Sequence, residues 1–327
     1  MKVAVFSTQS YDKQYFNLVN EDFDHEFIFL EPALNADTAI LASGCRGVCV
    51  FVNDKVDAKT LEILHQNGTD TIVLRCAGFN QVDLDSAKGL GINVYRVPSY
   101  SPEAVAEHAV AMMMTLNRKT HKAYNRVREG NFSLERLIGF NLNGKTVGIL
   151  GLGQIGLAFA KIMQGFGCKV IAYDPVVANA PANVTLVNLD TLMTTADMIS
   201  IHCPLNDHTH HLINQNRFEQ MKRGVMLINT SRGAILDTHA AIEALKQGKL
   251  GYLGIDVYEQ EDKLFFRDLS ESLIEDEQIL RLMSFSNVLI TAHQGFFTTE
   301  ALTEIAQTTL QNLDAAESGQ STGNKLT

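Results

Sequence analysis

The sequence predicts an α/β protein of two domains, each a doubly wound parallel sheet, and three observations carry that prediction. At 327 residues the chain exceeds the size at which one hydrophobic core stops growing. From Val3 to Tyr95, short apolar runs alternate with helical stretches. A glycine-rich strand–turn–helix pattern, Thr146-Val-Gly-Ile-Leu-Gly-Leu-Gly-Gln-Ile-Gly156, then opens a second region near mid-chain, with a full domain's length ahead of it.

Taken in order, the first region reads as strands at Val3–Phe6, Phe27–Leu30, Gly47–Val52, Ile72–Leu74 and Ile92–Tyr95. Helical patterns such as Ala58–Gln66 and Leu84–Leu90 separate several of them, as a small parallel domain requires. Pro98 and Pro102 bracket a crossing, and a helical run from Glu103 to Arg128 leads into the second domain. Met112-Met113-Met114 within that run reads as core packing. Val147–Leu150 is a buried strand, Gln154 begins a helix, and Cys168–Tyr173 is the next strand. Three further strands follow, in Val225–Ser231, Tyr252–Val257 and Asn287–Ala292. A helix over Thr299–Glu317 comes next, then a polar tail, Ser318–Asn324, expected to fray.

The glycine-rich turn has a direct chemical reading. Gly151, Gly153 and Gly156 suit a tight turn and close backbone approach to a pyrophosphate, and the helix from Gln154 aims free N–H groups at its charge. Asp174, ending the next strand, stands where a carboxylate accepts from ribose hydroxyls. A 2′-phosphate ~4 Å away would meet about 4 kcal/mol of repulsion at an effective dielectric near 20, so the cofactor implied is NAD rather than NADP.

The three later strands each deliver one polar residue of a different kind at or beyond the C-terminal end: Arg232, Glu261 and His293. In an open parallel sheet, ligands sit beyond those ends. Arginine offers a planar fork for a carboxylate, histidine gives and takes protons near neutral pH, and a neighbouring carboxylate favours imidazolium and fixes the ring. The set suits reduction of a 2-keto acid.

Composition excludes other classes. A net charge of −10 without a Lys/Arg cluster argues against nucleic acid or an anionic membrane as partner. The run Ala104–Leu116 carries Glu107 and His108 and is too short to span a bilayer. No opening signal peptide is read, and the five cysteines lack framework spacing, so a cytoplasmic protein with reduced thiols is expected. His208, His210 and His211 read as a solvated loop, because no acid or cysteine is suitably spaced for a metal.

Read together, Gly151–Gly156, Asn229-Thr-Ser-Arg-Gly233, Asp256-Val-Tyr-Glu-Gln-Glu261 and Thr291-Ala-His-Gln-Gly-Phe296 resemble the D-isomer-specific 2-hydroxyacid dehydrogenases. So do Leu74-Arg-Cys-Ala-Gly-Phe-Asn80 and the stretch from Val97 to His108. The likeness covers nearly the whole chain and is nearest to the fermentative branch that reduces pyruvate to D-lactate. It implies a Rossmann NAD-binding domain, residues 103–296, inserted in a flavodoxin-like substrate domain, residues 1–102 and 297–327. By resemblance, Arg232 binds substrate, His293 is the general acid and base, and Glu261 rather than Glu259 is its partner. Backbone N–H groups near Ala77 and Gly78 grip the substrate carboxylate with Arg75 close by, and Tyr100 and Phe296 line the pocket. The cofactor would touch Gly151, Gly153, Gln154, Ile155, Gly156, Asp174, Cys203, Pro204, Thr209, Thr230, Ser231 and Asp256. Gly295 departs from the alanine common in relatives, which bears on pocket shape. Glu261 disfavours formate oxidation, since relatives with that activity pair the histidine with glutamine. The alternatives are another small 2-keto acid, such as glyoxylate, hydroxypyruvate or phenylpyruvate, and a non-enzymatic NAD-sensing module. A homo-oligomer, dimer or tetramer, is expected from the relatives.

Overall fold

The computed structural model describes residues 1–320 and 322–327, with Lys263 described in its backbone alone. The chain divides into two compact units, Met1–Ser101 with Phe297–Thr327, and Pro102–Phe296.

In the first unit the strands β1 (Lys2–Val5), β2 (Glu26–Phe29), β3 (Gly47–Val50), β4 (Thr71–Leu74) and β5 (Asn93–Arg96) form one sheet in the order β2-β1-β3-β4-β5. All its ladders between these strands are parallel, and the order is the flavodoxin-like one. The central strands β3 and β4 are buried along their whole length, which is why they read as unbroken apolar runs. Helices α1 (Ser10–Val19), α2 (Ala58–Gln66) and α3 (Leu84–Gly89) lie between the strands. Asp57 and Asp83 cap α2 and α3 by accepting from Thr60 and Ser86 N–H groups.

The second unit begins with α4 (Pro102–Arg118) and α5 (Thr120–Arg128). The single helical run expected from Glu103 to Arg128 is broken at Lys119, which adopts φ +52°. The break has a packing reason. α4 buries Ala106, Ala109, Met112, Met113 and Leu116 in the core, whereas no residue of α5 is buried, so the left-handed residue re-aims the polar segment along the surface. The chain continues through β6 (Thr146–Leu150), α6 (Gln154–Gly165), β7 (Lys169–Tyr173), β8 (Val184–Leu186), α7 (Leu189–Thr195), β9 (Met198–Ile201) and α8 (Gln215–Gln220). It closes with β10 (Val225–Asn229), α9 (Thr238–Lys246), β11 (Leu250–Ile255), α10 (Glu277–Met283) and β12 (Val288–Ile290). The sheet order is β12-β11-β10-β9-β6-β7-β8, the doubly wound Rossmann order extended by one strand. One face packs Met112, Met113, Ile149, Phe159 and Met163, and the other Leu192, Phe218, Leu227, Ala241 and Leu253. Among the described residues no helix is long and apolar enough to cross a membrane.

The final helix, α11 (Thr299–Ser318), belongs to the first unit and packs Ala306, Leu310 and Leu313 against Val3, Val5 and Val73. It ends at Gly319, φ +70°, a left-handed C-terminal stop. The tail Ser318–Asn324 was expected to fray; Ser321 of that stretch lies outside the described residues, but the flanking chain is ordered by pairing. Arg96 N–H donates to the Asn324 carbonyl at 3.0 Å and Leu326 N–H to that of Val94 at 2.8 Å, an antiparallel contact along the open edge of β5. The unpaired backbone groups of an edge strand supply the reason, which a polar composition does not reveal.

Candidate active site

Adjacency in the sheet brings the three polar residues together. β10, β11 and β12 are parallel neighbours, so the loops leaving their C-terminal ends rise on the same side. Arg232 follows β10, Glu261 opens a short 3-10 turn after β11, and His293 follows β12. Nδ1 of His293 lies 2.9 Å from Oε1 of Glu261, and Oε2 of Glu261 accepts from Tyr258 N–H at 2.9 Å. Glu261 is therefore held at both oxygens. Glu259 turns elsewhere, its Oε1 2.6 Å from Nε2 of His211 and its Oε2 accepting from Thr238 Oγ1 at 3.0 Å. The ring of Phe266 stands 5.9 Å from the imidazole of His293.

His293 adopts φ +52°, a left-handed conformation that costs a non-glycine residue on the order of 1 kcal/mol or more. Asp256 holds it there. Its carbonyl accepts from His293 N–H at 2.7 Å, and its carboxylate accepts from the N–H groups of Gln294 and Gly295 at 2.9 and 2.8 Å and from Thr291 Oγ1 at 2.5 Å. Nε2 of His108, on α4, lies 3.2 Å from the same carboxylate and 3.1 Å from Thr291 Oγ1. Burial opposes the charge of Asp256, but the hydrogen bonds from His108 and Thr291 outweigh it and hold the carboxyl below the usual range. A Cβ at Gly295 would lie 3.0 Å from Asp256 Oδ2, so an alanine there would push on the carboxylate that fixes this loop.

Arg232 is half-buried, and its Nη1 donates to the Ser231 carbonyl at 2.7 Å. Among the described residues no carboxylate forms an ion pair with it, which leaves its charge for a ligand. The loop is fixed from below: Asn229 Nδ2 donates to the Arg232 carbonyl at 2.9 Å, and Ser231 Oγ to that of Cys203 at 2.6 Å. Gly233 lies against the Tyr258–Glu259 backbone, where a Cβ would meet the Tyr258 carbonyl carbon at 2.1 Å. The arginine loop and the glutamate loop thus pack backbone to backbone.

The cofactor candidates frame a cradle at the C-terminal ends of β6 and β7. Gly151 has φ +92°, and a Cβ on it would lie 2.6 Å from Cys203 N; one on Gly156 would lie 2.1 Å from the Gly151 carbonyl oxygen. Gly153 differs, since a Cβ there would meet nothing within 4 Å. Asp174 Oδ2 accepts from Leu152 N–H at 2.8 Å and Oδ1 from Val176 and Val177, and although burial works against the charge, these bonds keep the carboxyl below the usual range. α6 starts at Gly153 with no side-chain cap, whereas Asn188, Asn214, Asp237 and Asp276 cap α7 to α10. A helix start without a side-chain cap is a favourable place for an anion. Thr230 is buried and its Oγ1 has no partner among the described residues, an orphan that a bound group would satisfy. These residues fit a dinucleotide. Gln154 and Ile155 open α6, with Ile155 packed against the core. Thr209 Oγ1 is engaged within its own loop, donating to the Pro204 carbonyl at 2.7 Å. Burial pushes the Cys203 thiol up to about 11, so it stands there as a neutral group.

The remaining candidates lie apart in the chain. Arg75 is 2 % exposed, its Nε donating to Asp12 Oδ1 at 3.2 Å and its Nη2 to the Ser7 carbonyl at 2.9 Å, with the guanidinium over the Phe51 ring. The carbonyl of Ala77 accepts from Arg96 Nη1 at 3.1 Å and that of Gly78 from the Cys76 thiol. Tyr100 is half-buried and Phe296 buried. Sequence reasoning missed His108, Thr291 and Phe266. Only His108 left a signal, as one of two titratable residues, beside Glu107, in the mostly apolar run Ala104–Leu116.

The NAD-binding-domain model of the D-isomer specific 2-hydroxyacid dehydrogenases matches residues 110–295. The chain is 54% identical to D-lactate dehydrogenase of Escherichia coli (strain K12) over 328 residues, covering 100% of both proteins. The apo-structure of the Escherichia coli D-lactate dehydrogenase superposes with a TM-score of 0.91 at 51% identity, covering 100% of both chains. The Salmonella D-lactate dehydrogenase structure gives a TM-score of 0.88 at 53% identity, again with 100% of both chains covered.

Proposed function

Because the chain belongs to the D-isomer-specific 2-hydroxyacid dehydrogenases, an NAD-dependent enzyme family, we propose that it reduces pyruvate to D-lactate with NADH, a D-lactate dehydrogenase activity. One observation carries the chemistry: the 2.9 Å pairing of His293 with Glu261, in the loops after β12 and β11, with β11 lying beside the strand β10 that delivers Arg232.

Bound NADH supplies the hydride that the carbonyl carbon accepts. The chain's residues do the rest. Arg232 pairs with the substrate carboxylate and polarises the neighbouring carbonyl. Glu261 holds Nδ1 of His293, so Nε2 is the atom that delivers a proton to the developing alkoxide. In the reverse direction the same nitrogen takes the hydroxyl proton. Asp256 keeps the His293 backbone in its left-handed setting, and Phe266 shelters one side of the ring. For the cofactor, the start of α6, which has no side-chain cap at Gly153, and the open space there support pyrophosphate binding, Asp174 ribose binding, and the Thr230 hydroxyl, without a partner among the described residues, a contact further along the dinucleotide. Ala77, Gly78, Arg75, Tyr100 and Phe296 complete the proposed substrate set.

The decisive assay follows the fall in NADH absorbance with pyruvate, glyoxylate, hydroxypyruvate and phenylpyruvate in parallel, with the pyruvate product resolved for chirality. Preference for pyruvate giving D-lactate is expected. A faster rate on another 2-keto acid would move the substrate and keep the mechanism, whereas tight NADH binding without turnover would favour an NAD sensor.

The proposal includes a homo-oligomer in the cytoplasm. Phe132, Leu134 and Ile138, in the segment after α5, are 74%, 83% and 83% exposed, more large apolar surface than isolated side chains need. Sedimentation should find a dimer or tetramer; a monomer at micromolar concentration would refute that part. Cys45 and Cys49, buried free thiols, suit a reducing compartment.

A further inference from the structure

The geometry points to a binding site for one divalent transition-metal ion of the zinc class at His210, His211 and Glu259, separate from the reaction centre. One ligand atom from each lies within 4.8 Å of the others, a spread that an ion at ordinary Zn–N and Zn–O distances of about 2.0–2.2 Å draws together by small rotations.

Two adjacent histidines ordinarily point apart. Here His211 takes φ +48°, and the two imidazoles come to lie nearly parallel, with centroids 4.1 Å apart and planes 24° apart. The turn is anchored, not loose. His210 N–H donates to the Asn206 carbonyl at 2.9 Å and His211 N–H to that of Ala234 at 2.8 Å. Glu259 arrives from the loop after β11, where chain spacing gives no hint of it, and places Oε1 2.6 Å from Nε2 of His211. Its other oxygen accepts from Thr238 Oγ1 at 3.0 Å, which orients the carboxylate as outer-shell partners do for metal ligands.

Imidazole nitrogens with one carboxylate suit zinc, nickel or cobalt better than magnesium or calcium. Three protein ligands leave a position for water, and His210 is exposed, so the ion enters from solvent. Its effect follows from what the ligands are attached to. The histidines end the loop that carries Cys203, Pro204 and Thr209, and Glu259 sits in the turn that carries Glu261. An ion there ties those two loops of the second unit together. The inference does not depend on which keto acid is reduced.

The test titrates zinc chloride into the metal-stripped full chain by calorimetry, for the wild type, His210→Ala and Glu259→Gln, with melting temperature and NADH affinity measured in chelator as controls for folding. One ion per chain is expected, with at least tenfold weaker binding in each variant. Imidazole ¹⁵N spectra of the wild type give a second readout that needs no variant: the resonances of His210 and His211 should shift together and saturate at one equivalent. No zinc binding, or binding unchanged in His210→Ala with those resonances unmoved, would overturn the site and leave a plain His211–Glu259 hydrogen bond or an ion held at other residues.

Discussion

At the residue scale, the reaction centre depends on a few atoms whose partners are all specified. His293→Ala should lower kcat by ~100- to 10,000-fold, the usual contribution of a general acid, with NADH affinity retained. Glu261→Gln should lower kcat by more than tenfold while leaving the fold intact, because the amide still fills the space beside Nδ1; stopped-flow hydride transfer reads both. Asp256 gives a pH-dependent prediction. Its carboxyl ionises below the ordinary carboxylate range in the folded chain, so its stabilisation is present above about pH 4 and is lost as pH falls through the folded value. Asp256→Asn, which turns an N–H donor toward the Gln294 or Gly295 N–H, should cost about 1–3 kcal/mol near neutral pH. Chemical denaturation at a series of pH values should show that difference shrinking in acid; a constant difference would mean the charge is not what matters. Arg232, Glu261 and His293 were legible in sequence because each stands at or just beyond the end of an apolar run and brings a chemically distinct side chain. His108 and Thr291 were not, since their partner Asp256 is far away along the chain and their meeting is a product of helix–sheet packing.

At the scale of elements, the strand–turn–helix of β6 and α6 separates glycines that the fold requires from Gly153, which is proposed to serve the ligand. Gly151→Ala places a methyl 2.6 Å from Cys203 N at φ +92° and should destabilise the protein by about 1–3 kcal/mol or more. Gly153→Ala meets nothing, so it should fold with wild-type stability and still lose NADH affinity, as the added Cβ stands where the pyrophosphate would approach. Thermal denaturation paired with NADH fluorescence titration distinguishes the two; equal stability of both variants, or unimpaired NADH binding by Gly153→Ala, would contradict the assignment. The motif announced this turn through spacing, yet spacing did not sort the glycines, because the clash at Gly151 comes from the loop after β9. Nor did periodicity foresee the break at Lys119, where the choice between one long helix and two short ones is made by what α4 can bury.

At the scale of the whole molecule, the chain's end supports its beginning. Deleting residues 320–327 exposes the edge of β5 and should lower the melting temperature and promote association, while NADH binding by the second unit's residues stays unchanged. Light scattering with a melting curve tests this; a truncated chain as stable and as dispersed as the parent would show the pairing to be idle. The sequence by itself determined the two doubly wound sheets, the dinucleotide turn and the order of the polar residues after β10, β11 and β12. Apolar periodicity, glycine spacing and strand ends are local properties, written within one segment at a time. Only the tertiary structure decided that Glu259 meets His211, what holds His293 in its left-handed turn, and what covers β5. Those are contacts between segments remote in sequence, set when parallel strands align their loops and when buried polar groups and open sheet edges find their hydrogen-bond partners.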